Sequence, residues 1–252
     1  LENKLSIQDI KNLRNNISKY IIPTNESDIS VTIEDVNNII TTTYYGINSR
    51  GYLTSSAVKK NKCLRIYIQG HGGSPSKFKY YNQLRDIFIN EGCDVLSLSM
   101  IGLGFNEGVA SFPSRFGEVS LTLEQAKLHG NYSFFFDIDN SILDPLSLFL
   151  YPHIQIIKYT KEKGDYADIS ILGISGGGWY TVWLAALLPE LNTSLSYAGS
   201  LPLAYRKGTS IHGDWENIFS NLYSIVSYLD LYQLMLVNGD GIRTRKSFLI
   251  YN

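Results

Sequence analysis

Apolar residues recur at helical spacing near the start of the chain, at Ile7, Ile10, Leu13, Ile17 and Ile21, and Pro23 stops the run. The pattern predicts an amphipathic helix over 5–22. The period then shortens to that of strands in Ile39–Tyr45, Tyr52–Val58 and Cys63–Gln69, separated by turns at 46–51 and 59–62. Helical spacing returns over Phe78–Asn90 and ends at Gly92. Cys93–Ser99 is largely apolar, as a strand covered on both faces should be. From 102 to 152 the pattern is irregular, with Pro113, Pro145 and the cluster Phe134-Phe135-Phe136, and reads as a long insertion. Beyond it come a helix over Ile154–Lys163, an apolar strand over Asp168–Ile174 and an apolar helix over Gly176–Leu188. A strand over Ser194–Gly199, a helix over Trp215–Leu236 and a last strand over Ser247–Tyr251 complete the series.

Strands alternating with helices in this way predict an α/β fold with a mostly parallel sheet and helices on both faces. The expected organisation is an N-terminal helical segment over 1–38 and an α/β domain over 39–252. That domain carries the insertion at about 102–152 and a cap-like segment at about 201–240. The 252 residues suffice for a sizeable core. A formal net charge of -1 leaves no electrostatic footprint for nucleic acid, so no nucleic-acid partner is expected. The longest apolar runs fall well short of the roughly 18 residues of a membrane span. The two cysteines cannot build a disulfide framework or a four-cysteine zinc site. Cys63 and Cys93 each open a strand, and a reduced, cytosolic pair of buried thiols is the simpler reading, with a disulfide as the alternative. The compartment stays open, since a leader peptide could have been removed.

The chemistry is concentrated in Gly173-Ile174-Ser175-Gly176-Gly177-Gly178-Trp179, which has the G-x-S-x-G spacing of a nucleophile elbow. The serine of such a turn is lifted out of the sheet between a strand and a helix. The small residues two places before and after it allow the close approach of those two elements. The N–H of the next residue, here Gly176, then points to where an oxyanion would form, and the helix N-terminus adds partial positive charge. A second element agrees. The strand ending Ile66-Tyr67-Ile68-Gln69 runs into Gly70-His71-Gly72-Gly73, a glycine loop of the kind that supplies the other oxyanion donor. Gly73 is the expected donor because no Cβ obstructs its N–H. His71 is then a loop-shaping residue whose ring bonds to nearby backbone. By contrast, Gly102-Leu103-Gly104-Phe105-Asn106-Glu107-Gly108 does not make a dinucleotide site, because its third glycine falls one place late and no helical opening follows. No cofactor is called for.

With these motifs in place, the sequence over roughly 40–252 resembles the α/β-hydrolase superfamily. Ser175-Gly176-Gly177-Gly178-Trp179 and Ala198-Gly199-Ser200-Leu201-Pro202-Leu203 are similar to segments of bacterial serine hydrolases of the acetyl xylan esterase and prolyl oligopeptidase-like branch. Gly213-Asp214-Trp215-Glu216 and Tyr228-Leu229-Asp230-Leu231-Tyr232 extend the likeness. The resemblance implies Ser175 as nucleophile, Gly176 and Gly73 as oxyanion donors, and a small ester or acyl compound as substrate. A peptidase or thioesterase of the same fold, or a non-catalytic binding protein, are the rival readings. Aromatic residues in 102–152 would form an apolar or sugar-stacking wall.

In this fold the triad acid follows the seventh strand and the histidine follows the eighth. Counting Ile39–Tyr45 as first, Ser247–Tyr251 is the seventh, so both are expected beyond Asn252, with these 252 residues alone nearly inactive. The candidates nearer to hand read otherwise. His212 falls in the cap-like segment, and His129 and His153 belong to the 102–152 region. Asp230 lies in an apolar helical stretch and Asp240 in a glycine turn. Asp137, Asp139 and Asp144 lack a metal-ligand spacing, so no metal site is expected. A last strand left at the sheet edge would favour self-association there.

Overall fold

In the computed structural model, which describes residues 6–23, 32–45, 47–58, 62–106, 109–114, 117–122, 144–202, 205, 215–217, 221–240, 242 and 244–251, eight strands form one twisted sheet. Its members are β1 (Thr32–Val36), β2 (Ile39–Tyr44), β3 (Ile47–Thr54), β4 (Cys63–Gln69), β5 (Asp94–Ser99), and three later strands. A separate hairpin, β6 (Val109–Ser114) and β7 (Gly117–Thr122), precedes those three: β8 (Asp168–Ile174), β9 (Thr193–Tyr197) and β10 (Lys246–Ile250). The order across the sheet is β1-β2-β3-β5-β4-β8-β9-β10. The first three strands run antiparallel to their neighbours, and every pairing from β5 to β10 is parallel. The expectation of a mostly parallel sheet therefore holds.

Helices cover both faces. On one side pack α1 (Ile7–Ile21), α3 (Pro145–Gly164), α4 (Gly176–Leu187) and α5 (Tyr228–Met235), and on the other lies α2 (Tyr81–Asn90). Alternation along β5 divides the two faces. Leu96 and Leu98 point to Gly51 and to Ile156 of α3, whereas Ser97 is hydrogen bonded to Tyr81 of α2. Helix α4 is buried on every side, Trp179, Tyr180 and Trp183 included, which fits its unbroken apolar sequence. Helix α1 opens with a capping box between Ser6 and Asp9 and buries Ile10, Arg14, Ile17 and Ile21. Arg14 is a buried cation whose guanidinium donates to Ala186 O (2.8 Å), Asn238 O (3.1 Å), Leu234 O (2.9 Å) and Val237 O (2.7 Å). These carbonyls lie at the C-terminal ends of α4 and α5, where the helix dipole favours a cation. Arg245 donates to the same region, to Leu191 O and Ala185 O.

The structure departs from the sequence reading in several places. The stretch 46–51 is not a turn: β3 begins at Ile47, and Tyr44 pairs with Ile47 across a tight connection. Ser49 and Gly51 face inward there, so the small inward residues hide the strand period. Thr32–Val36 adds an edge strand that the pattern did not announce, placing part of the 1–38 segment in the sheet. Helix α3 starts at Pro145, capped by Asp144, whose carboxylate accepts from Leu146 N–H at 2.9 Å, so 145–152 is helical rather than irregular. The single helix expected over Trp215–Leu236 is instead two short 3-10 turns, 215–217 and 221–224, followed by α5. Ser227 starts α5 through a capping box with Asp230.

The largest correction concerns the cysteines. Cys63 and Cys93 form a disulfide rather than a reduced pair. Parallel pairing of Leu64 with Asp94 places the two residues before them side by side at the amino ends of β4 and β5. Asp94 adds to the same end: its carboxylate accepts from Ser56 N–H (2.8 Å) and from the Tyr166 hydroxyl (2.6 Å). Among the described residues no helix is long and apolar enough to cross a membrane, and no cluster of His, Cys, Asp or Glu could hold a metal ion.

Candidate active site

Ser175 stands between β8 and α4 with φ 56° and ψ −127°, a left-handed conformation that a side chain adopts only under constraint. Three backbone bonds supply the constraint. Ser175 N–H donates to Tyr197 O at 2.8 Å, and Ser175 O accepts from Gly178 N–H (2.8 Å) and Trp179 N–H (3.2 Å). The hydroxyl plays no part in capping α4, and the residue is exposed although α4, which begins beside it, is buried throughout.

The glycines around it are required by space. A Cβ on Gly173 would collide with the Gly177 carbonyl, and one on Gly177 with the Ile68 carbonyl. A Cβ on Gly70 would lie 2.5 Å from Ile174 O and 2.9 Å from Gly176 N. The end of β4 is therefore pressed directly against the Ser175 turn, and Gly70-His71-Gly72-Gly73 follows at once. Gly73 has φ 97°, and its N–H donates to Gly70 O at 3.3 Å, closing a turn. That bond is long, so this amide, expected from the sequence as an oxyanion donor, is at present tied to its own loop. The Gly176 N–H belongs to the first turn of α4, where intrahelical partners are lacking. Backbone donors at such a helix start can stabilise a developing negative charge.

The loop after β5 completes the floor. Met100 is buried against Gly176, and a Cβ on Gly104 (φ 58°) would lie 2.6 Å from Ser74 N, so the 70–74 and 100–106 loops are in contact. Asn106 locks the second loop by donating to Ser99 O (2.7 Å) and Met100 O (3.0 Å) while accepting from Arg50 N–H (2.6 Å). The β6–β7 hairpin follows.

The histidines separate cleanly. His153 is fully buried in α3, with Nε2 2.9 Å from Ser99 O and its ring 4.5 Å from that of Tyr180. Burial pushes its pKa down to about 4, so it is a neutral packing residue. His71 lies beside the site: its Cε1 would be 2.8 Å from a Cβ on Gly176. Its ring does not turn only to backbone, as the sequence suggested. Nε2 lies 3.4 Å from a carboxylate oxygen of Glu216, whose side chain is fully buried. Glu216 was given no role by sequence reasoning. Its position in the Gly213-Asp214-Trp215-Glu216 segment, which the sequence reading set beside hydrolases, was the available signal, but nothing local marks it as buried. His129, His212, Asp137 and Asp139 lie outside the described residues. Asp230 lies in the first turn of α5 and accepts from Ser227 N–H at 2.8 Å, and Asp240 sits in a turn where its N–H donates to Asn238 Oδ1 at 3.0 Å.

No family model matches the chain, and no curated protein matches it. Solved structures do. A candidate acetyl xylan esterase from Bacteroides fragilis superposes with a TM-score of 0.60 at 12% identity, covering 100% of this chain and 77% of its own. A carbohydrate esterase family 15 glucuronoyl esterase from Caldicellulosiruptor kristjansonii gives 0.55 at 13% identity, covering 96% of this chain and 69% of its own. Est1E from Butyrivibrio proteoclasticus matches over 66% of this chain, which spans 49% of Est1E, with a TM-score of 0.38 at 17% identity. The strand order, the crossover helices and the two long superpositions together show that the chain adopts the α/β-hydrolase fold.

Proposed function

We propose that the protein is a serine hydrolase that cleaves small carboxylic esters, acetyl esters among them, through an acyl-enzyme on Ser175. The observation that carries this is the exposed residue Ser175, held at φ 56° on a strand-to-helix turn beside the N–H groups of Gly176 and the 70–73 loop. That backbone conformation costs about 1–3 kcal/mol and persists only where the surroundings impose it. A nucleophile elbow gives it a use: Ser175 Oγ attacks the carbonyl carbon, and the alcohol leaves with a proton as the acyl bond to serine forms. Water then releases the acid and restores the serine. The carbonyl oxygen, negative in between, would take hydrogen bonds from Gly176 N–H and from Gly73 N–H once the latter exchanges Gly70 O for the oxyanion. His153 is not the general base, since it is fully buried and engaged with Ser99 O.

The ester class is supported by the names of the two well-superposed neighbours, an acetyl xylan esterase candidate and a glucuronoyl esterase. Peptidase, thioesterase and pure binding functions remain rivals on the same fold. A fluorophosphonate probe decides between catalysis and binding. Applied to the full-length protein, it should label Ser175, and Ser175→Ala should abolish both labelling and turnover of p-nitrophenyl acetate. No labelling of the wild-type serine would support the binding-protein reading. Faster turnover of a peptide or thioester than of acetyl esters would move the substrate class.

A further inference from the structure

Glu216 is a carboxylate with no exposed surface, placed on the short turn 215–217 beside the site. Burying such a group is costly unless it is paired, and the imidazole of His71 at 3.4 Å is a partner of suitable chemistry. The turn itself is held from the nucleophile's own helix. Trp179 Nε1 (3.0 Å) and Trp183 Nε1 (3.2 Å), both on α4, donate to the Tyr223 hydroxyl oxygen. Tyr223 in turn donates to Glu216 O at 2.8 Å. The hydroxyl accepts two hydrogen bonds, donates one and also lies 3.2 Å from Tyr228 OH, so its position is over-determined. Tyr228 OH secures the adjacent residue through Asn217 O (3.2 Å) and Asn217 Oδ1 (3.1 Å). The contacts close a circuit: α4 to Tyr223, to Glu216, to His71, and from His71 back to Gly176 at the start of α4.

We propose that Glu216 is a positioning residue, which holds His71 against Gly176 and thereby fixes the 70–73 loop relative to the Ser175 turn. This rests on the hydrolase reading above. The purpose of such a link is preorganisation. The loop amides and the Gly176 N–H must converge on one oxygen, and the close approach at Gly70 is a second place where loop 70–73 meets the turn. Because the donors act on a charge present only in the transition state, losing their alignment lowers kcat and leaves KM nearly unchanged.

The test compares wild-type full-length protein with Glu216→Gln, His71→Gln and the double variant, using p-nitrophenyl acetate turnover and fluorophosphonate labelling. Glu216→Gln keeps the shape and removes the charge. It should lower kcat on the order of 10- to 100-fold, less than outright loss of an oxyanion donor, with KM within about twofold. The double variant should be no slower than the worse single one, because both break one link. Labelling of Ser175 should slow by the same factor, and Glu216→Asp should recover part of it. Wild-type kcat in Glu216→Gln, or a loss that appears equally in KM and in melting temperature, overturns the positioning role. A wild-type protein with neither turnover nor labelling overturns the hydrolase reading instead. The link is then read from the amide NMR signals of Gly72, Gly73 and Gly176, which move together in both single variants if it exists and stay in place if it does not.

Discussion

The two ends of the central parallel strands are secured in opposite ways. At the amino ends of β4 and β5 the ties are made by side chains: the Cys63–Cys93 disulfide, and Asp94 bonded to Ser56 and Tyr166. At the carboxyl ends of β4 and β8 backbone lies against backbone, with Gly70, Gly173 and Gly177 in contacts that admit no further atom. The first kind of tie can be removed one piece at a time. The second cannot be altered without displacing the strand or the helix, and it is the end where the candidate nucleophile stands. Stability at one end is thus stored in bonds, and geometry at the other in the absence of side chains.

The contrast can be broken most forcefully at Gly177. Gly177→Val places its side chain against the Ile68 carbonyl and should cost about 4 kcal/mol or more, seen as loss of soluble folded protein or a collapsed denaturation midpoint. A variant that folds with an unchanged midpoint would show that the carboxyl end has slack. Next in size, replacing both cysteines by serine should destabilise the fold by about 2–4 kcal/mol through the freed 30-residue loop. Ser175 labelling of the folded fraction should be unchanged, and a comparable loss there would join the two ends that the structure keeps apart.

A third test uses pH. His153 has its folded-state pKa lowered from 6.5 to about 4, so the unfolded chain takes up a proton before the folded one does. The stabilising effect of keeping it neutral is complete above pH 6.5 and is lost as pH falls toward 4, at up to about 1.4 kcal/mol per pH unit. His153→Phe should flatten that slope in urea denaturation between those values, and an unchanged slope would assign it to other groups. The smallest effect is at the serine itself. Ser175→Gly relieves the positive φ and should raise stability by about 1 kcal/mol while removing turnover. A fall in stability would mean that the turn is not strained.

Much of this was legible in the chain, and the reasons are local. The β8–Ser175–α4 unit stood out because a run of small residues, an apolar strand and an apolar helix coincide within twenty residues. The mostly parallel character of the sheet followed from alternation of elements. The start of β3 was hidden because Ser49 and Gly51 face the core, so its inward positions carry no apolar signal. The start of α3 was masked by two prolines, although one of them, Pro145, sits at the first helical position where proline is favoured. The disulfide and the Glu216–His71 pair depend on residues 30 and 145 apart in the chain, brought together only by strand pairing and by the return of the chain over the sheet. No periodicity reports such meetings.

Arg14 carries a consequence for how the molecule is made. Its four carbonyl partners lie between 172 and 224 residues further along the chain. A ribosome delivers α1 before α4 and α5, so the acceptors that satisfy its guanidinium emerge later than the cation they bind. Helix α1 is therefore made well before its seat exists, and its buried cation waits for the ends of α4 and α5.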